Sequence, residues 1–153
     1  MKSNIFKVLI FLALYNLGTM QCLGYFANKD APVKSRIKKP EFFNKSPREG
    51  LMEALEYYGI HHPKIVYAQA VLETGHFKSD LCVNNNNLFG LYNSDKKRYY
   101  YFNHWSESVL MYKQMVQYKY KPPNNYYKFL KDLPYAKDKE YINKLKRIVS
   151  RYE

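Results

Sequence analysis

The stretch from residue 63 to residue 75 constrains the chain most. Pro63 opens it and Gly75 closes it, both residues of helix boundaries, and between them Ile65, Val66, Ala68, Ala70, Val71 and Leu72 make an apolar helix whose Ala-rich face demands close packing. Similar punctuation frames the flanking segments. Ser46, Pro47, Arg48 and Glu49 supply an N-cap, a first-turn proline and a capping-box glutamate ahead of Leu51, Met52 and Leu55. A helix is therefore predicted from there to about Tyr58, stopped by Gly59. Beyond the central segment, residues 84–87 read as a polar turn, and residues 88–92 with 98–102 as two short strands around Ser94, Asp95, Lys96 and Lys97. A third helix is predicted from Trp105 to about Tyr120, burying Val109, Tyr112 and Val116 and ended by Pro122 and Pro123. A short helix starts near Asn125, and a last one opens with Asp138 as N-cap and carries Tyr141, Leu145, Ile148 and Tyr152 on one stripe. The expected class is α+β, mainly α, with a small β-hairpin.

The N-terminal residues stand apart from this pattern. Lys2 and Lys7 precede a wholly apolar run over residues 8–14, the n-region and h-region of a secretory signal. We expect a signal peptide at residues 1–24, cut after Gly24, which removes Cys22 and leaves Cys82 alone. The competing reading is an uncleaved anchor, since no charge interrupts residues 8–28. Residues 25–45, with Lys34, Arg36, Lys38 and Lys39 and no apolar period, read as a basic linker, so the folded domain is expected at residues 46–153. Lys and Arg number 25 against 13 Asp and Glu, a net charge of +12, which directs the chain toward anionic partners. Export moves that preference away from nucleic acid toward polymers of the periplasm or extracellular cell envelope, with the linker offering a further contact to a membrane surface. Two cysteines exclude a disulfide scaffold, and 17 Tyr with 9 Phe provide bulky packing surface in their place.

Glu73 is the residue with chemical promise. It lies in the last turn of an apolar helix, where the negative end of the helix dipole and partial burial both disfavour its ionised form. A carboxylic acid kept protonated near neutral pH can donate a proton to a leaving group. By itself, a helix-end glutamate is also an ordinary solvated residue.

The surrounding residues add to this. Ala68, Gln69, Ala70, Val71, Leu72, Glu73, Thr74 and Gly75, followed by Asn86, Asn87, Leu88, Phe89 and Gly90, resemble the catalytic signature of glycoside hydrolase family 73, bacterial cell-wall glucosaminidases with a lysozyme-like domain. The resemblance continues through Trp105, Ser106, Glu107, Ser108 and Val109 and ends in Tyr135, Ala136, Lys137 and Asp138 with Tyr141, Lys144 and Leu145. It implies a peptidoglycan hydrolase cleaving the β-1,4 bond after N-acetylglucosamine, acting as a monomer without cofactor or metal, with Glu73 as general acid and Tyr135 lining the active site. It also implies that Asn87, Phe89 and Gly90 shape the floor of the cleft, and Gln69 is placed with them toward substrate. Longer members carry a second acidic residue on an extended hairpin, whereas this hairpin offers Asp95 alone, which reads more naturally as turn chemistry than as a second catalytic carboxylate. A route through the substrate's own 2-acetamido group, oriented by Tyr135, needs no second carboxylate.

The remaining residues have both structural and functional readings. Along residues 99–102 alternate side chains face the core and solvent, leaving Tyr101 free to stack on a sugar. Trp105 is either a core anchor or a sugar platform. His61, His62, His76 and His104 show no i, i+4 spacing and suggest no metal site. From a different functional class, the alternative is a noncatalytic peptidoglycan-binding or wall-assembly module that retains the lysozyme-like fold.

Overall fold

The computed structural model describes residues 39–133 and 138–152. The signal-peptide and anchor readings, most of the linker and the Tyr135 assignment fall outside those residues. In chain order the elements are α1 (Pro47–Tyr57), α2 (Pro63–Glu73), α3 (Asp80–Asn85), β1 (Tyr92–Asn93), β2 (Arg98–Tyr99), α4 (Trp105–Met115), α5 (Tyr126–Asp132) and α6 (Tyr141–Val149), with 3-10 turns at Glu41–Asn44 and Gln117–Lys119. This is the mainly helical α+β arrangement expected.

The helix α2 forms the centre. Val66, Tyr67, Ala68, Gln69, Ala70 and Val71 are buried in succession, so the helix is enclosed on all sides. Helices α1 and α6 pack against it, and α4 packs against α1. Small Ala68 and Ala70 allow that close approach. The α6 stripe turns Tyr141 and Leu145 inward and leaves Lys146 and Arg147 in water. At the start of α1 the capping box forms as predicted: the Glu49 carboxylate accepts the Ser46 hydroxyl (2.7 Å) and the Ser46 backbone N–H (3.2 Å), and these bonds lower its pKa.

Five expectations need correction. The fold reaches back into the segment read as linker, because Phe42 in the Glu41–Asn44 turn is fully buried, its ring 5.0 Å from Phe43 and 5.9 Å from Trp105. The apolar pair outweighs the lysines and prolines around it. Helix α3 was not foreseen; Ser79 caps it by accepting the Cys82 N–H (3.3 Å), and Asp80 lies in its first turn. The strands are two residues each, paired antiparallel as Tyr92 with Tyr99 and Asn93 with Arg98, since Leu88, Phe89 and Leu91 enter the core as an irregular loop. Helix α4 stops at Met115 rather than near Tyr120, where the Gln117 side chain clamps the His61 backbone, accepting its N–H (3.0 Å) and donating to its C=O (2.9 Å). Asp138 caps the turn before α6 by accepting the Glu140 N–H (2.8 Å), and the helix begins at Tyr141.

Candidate active site

Glu73 is the last residue of α2, and the chain leaves the helix sharply behind it. The Thr74 hydroxyl donates to the Ala70 carbonyl (2.6 Å) and accepts the Phe77 N–H (2.8 Å). Gly75, His76 and Phe77 all have positive φ, 54°, 64° and 65°, which turns the backbone aside and leaves Glu73 reachable from solvent while its carboxyl stays partly desolvated. Gly90 faces it from the opposite loop: a Cβ built there would stand 3.8 Å from Oε2 of Glu73, and its φ of +61° favours glycine. That loop is held by Asn87, whose buried amide donates to the carbonyls of Leu91 (2.9 Å) and Tyr100 (3.1 Å) and accepts the Leu91 N–H (2.9 Å). Asn87 thus takes over the hydrogen bonds a longer strand would have made.

Burial raises the Glu73 pKa, while a hydrogen bond from Tyr141 opposes the rise. The Tyr141 hydroxyl donates to Oε1 of Glu73 at 3.1 Å. Its own pKa is pushed upward by burial and then by the neighbouring carboxylate, so it remains a neutral donor. Gln69 donates to the Tyr141 oxygen (3.1 Å) and accepts the Tyr112 hydroxyl (2.6 Å). Since Tyr112 has one proton and gives it to Gln69, Tyr126 donates in the 2.9 Å contact between the two phenols. Gln117 in turn donates to Tyr126 (3.1 Å). The result is a buried line of donors running from Gln117 through Tyr126, Tyr112, Gln69 and Tyr141 to the carboxyl of Glu73.

Several residues predicted to meet substrate are buried. Gln69 is fully buried and acts on Glu73 through Tyr141. Asn87 and Phe89 are buried too; the first clamps its loop and the second packs on Tyr112 at 4.5 Å. Trp105 is 4% exposed, with its indole N–H donated to the Lys45 carbonyl (3.0 Å), so it presents no face to a sugar. Gly90 alone of these lies beside Glu73. Tyr101 is exposed, as are Tyr99 and Tyr92, and the alternation expected over residues 99–102 is present, with Phe102 buried. Asp95 lies exposed in the hairpin turn, where Asn93 accepts the Lys96 N–H (2.9 Å). Of the histidines, His62 is hydrogen-bonded to the Tyr120 hydroxyl (2.8 Å), and His104 caps α4.

Sequence reading missed Tyr141 as a site residue. Two signals were available: a tyrosine on an apolar stripe carries a hydroxyl that needs a partner, and Gln69 in an apolar helix carries an amide with the same need. Each satisfies the other. Removing the Tyr141 hydroxyl should be informative, because its hydrogen bond favours the ionised carboxylate. In Tyr141→Phe the Glu73 proton should be held to higher pH, so the descending alkaline limb of the kcat profile should move upward. A limb displaced to lower pH would contradict this geometry. The lost bond should also cost about 0.5–1.5 kcal/mol of stability in urea unfolding.

The site as it stands is a carboxyl at a helix end, its pKa raised by burial, with one oxygen bonded to the neutral Tyr141 phenol and the other facing Gly90. The chain is a member of the glucosaminidase family, described as mannosyl-glycoprotein endo-β-N-acetylglucosaminidase, whose pattern matches residues 48–153. Among solved structures it is similar to the catalytic domain of the autolysin Auto from Listeria monocytogenes, at 21% identity and a TM-score of 0.49, over 89% of this chain and 94% of that one. No curated protein matches.

Proposed function

We propose that this protein hydrolyses the glycan strands of peptidoglycan at the β-1,4 bond after N-acetylglucosamine, with Glu73 as the general acid. The observation that carries this reading is the single carboxyl at the end of α2, raised in pKa by burial, touched by Tyr141 on one oxygen and faced by Gly90 at the other. Family membership supports a glycan containing N-acetylglucosamine as the substrate class. In the proposed reaction the protonated Glu73 gives its proton to the glycosidic oxygen as the bond to the anomeric carbon breaks. The 2-acetamido group of the sugar then attacks that carbon from the opposite face, and the ionised Glu73 takes a proton from the water that resolves the intermediate. Tyr135 is assigned to orient the acetamido group, and the exposed Asp95 to the hairpin turn.

The protein would be exported and act in the cell envelope, where a charge of +12 favours residence on a polymer rich in carboxylates. Mass spectrometry of the fragments released from purified peptidoglycan tests the bond assignment. New reducing ends at N-acetylglucosamine are expected, and reducing ends at N-acetylmuramic acid would reject it.

A further inference from the structure

The hairpin carries a second cluster of binding groups that the proposed acid chemistry does not use. Lys96, Lys97 and Arg98 follow one another through the turn and line a groove of about 860 Å³. Among the described residues the ion pairs are Lys45 with Glu53 and Lys144 with Asp138, so these three cations have no carboxylate within salt-bridge distance, Asp95 included. Beside them Tyr92 and Tyr99 pair edge to face at 5.2 Å across the strands and remain about half exposed, at 45% and 48%, with Tyr101 more open at 66%. The turn is pre-shaped. Asn93 accepts the Lys96 N–H, Lys97 adopts a φ of 50°, and the Asn93 amide donates to the Tyr100 hydroxyl (3.2 Å). Below it, the Asn87 clamp fixes the hairpin base to the loop of Gly90.

That connection bounds the distance to the acid. Three residues of chain, at most about 10 Å, separate Gly90 from Asn93. Arg98 lies directly across from Asn93, roughly 5 Å further.

We propose that the hairpin groove is a second ligand site, taking the carboxylates of the peptide stems carried by the same glycan strand that enters the Glu73 cleft. The proposal rests on the peptidoglycan reading above. A planar carboxylate matches the fork of the Arg98 guanidinium, the two ammonium groups add charge, and the tyrosine faces suit the apolar edges of the stem and sugar. The fixed turn spares the backbone an ordering cost on binding, while each long cationic side chain held by the ligand still costs about 0.5–1.5 kcal/mol. The site therefore selects polymer whose stems keep free carboxylates over stripped or amidated polymer.

The test uses the full chain, wild type and a Lys96→Gln, Lys97→Asn, Arg98→Gln variant, with folding checked by circular dichroism. Asn is chosen at position 97 because it tolerates positive φ. The probe for calorimetric titration is a synthetic stem peptide with free carboxylates, compared with its amidated form. We expect wild type to bind the acidic peptide about tenfold more tightly, with a difference that shrinks as salt is added, and the variant to discriminate less than about twofold. Equal binding of both peptides by wild type would overturn the proposal, as would tighter binding of a glycerol-phosphate oligomer than of the stem. In parallel, both proteins digest intact peptidoglycan and polymer stripped of its stems. Hydrolysis without hairpin discrimination defeats the hairpin proposal alone. Discrimination without hydrolysis defeats the catalytic reading and leaves the acidic-stem site standing.

Discussion

Glu73→Gln should hydrolyse peptidoglycan at least ~100-fold more slowly than wild type, about 2.7 kcal/mol of lost transition-state stabilisation. The glutamine matches the shape of the acid, and its carbonyl can accept the Tyr141 hydroxyl as Oε1 of Glu73 does at 3.1 Å. What it lacks is a transferable proton. The variant should therefore fold normally, and its stability should carry a specific pH signature. Burial raises the folded-state pKa of Glu73 above its unfolded value, so the folded chain holds that proton more tightly. The stability from this tighter hold is fully present below the unfolded pKa and is lost as pH rises through the folded pKa. Relative to wild type, Glu73→Gln should gain in Tm above that range and gain nothing in acid. Asp95→Asn is the matched control and should retain most activity, because Asp95 lies in an exposed turn. Wall lysis by folded Glu73→Gln at near the wild-type rate would remove Glu73 from its assigned role, and an Asp95→Asn variant equally inactive would make Asp95 the second catalytic carboxylate.

Much of this architecture was readable because its signals are local. Ser46, Pro47 and Glu49 announce α1 within four residues, and Pro63 and Gly75 fence α2, so element type and approximate ends follow from capping chemistry alone. Where the reading failed, a distant partner decided the outcome. The apolar run at residues 88–91 looks like a strand, yet the Asn87 side chain takes the bonds a ladder would have used. Gln117 shortens α4 by reaching the backbone of His61, far back in the chain. Phe42 sits among lysines and prolines, and only the pocket formed by Trp105 and Tyr58 gives it a core role. The same division holds at the site. Glu73 could be singled out from its place on the helix and the residues around it, whereas Gln69, expected toward substrate, is fully buried. Its partners, Tyr112 and Tyr141, belong to other helices, and their pairing is a product of packing.

Trp105 is where that division has its largest energetic consequence. As a sugar platform, its loss would raise KM and leave the fold intact. In the structure the indole closes the space between the start of α4, the Glu41–Asn44 turn and α1: its ring lies 5.9 Å from Phe42, and a Cβ on Gly50 would come within 3.0 Å of Cζ2. Its N–H also satisfies the Lys45 carbonyl, so truncation leaves both a cavity and an unpaired acceptor. Trp105→Ala should cost about 3–5 kcal/mol, a large fraction of the ~5–15 kcal/mol that holds a typical domain together. Trp105→Phe refills most of the volume and loses the hydrogen bond alone, so its cost should be nearer ~1–3 kcal/mol. Urea unfolding followed by circular dichroism separates the variants, and in wild type the emission of this single tryptophan reports the same transition. A Trp105→Ala protein as stable as wild type, with KM raised and kcat preserved, would restore the sugar-platform role. Loss of stability with an unchanged KM in the folded fraction would place Trp105 in the core that carries the site.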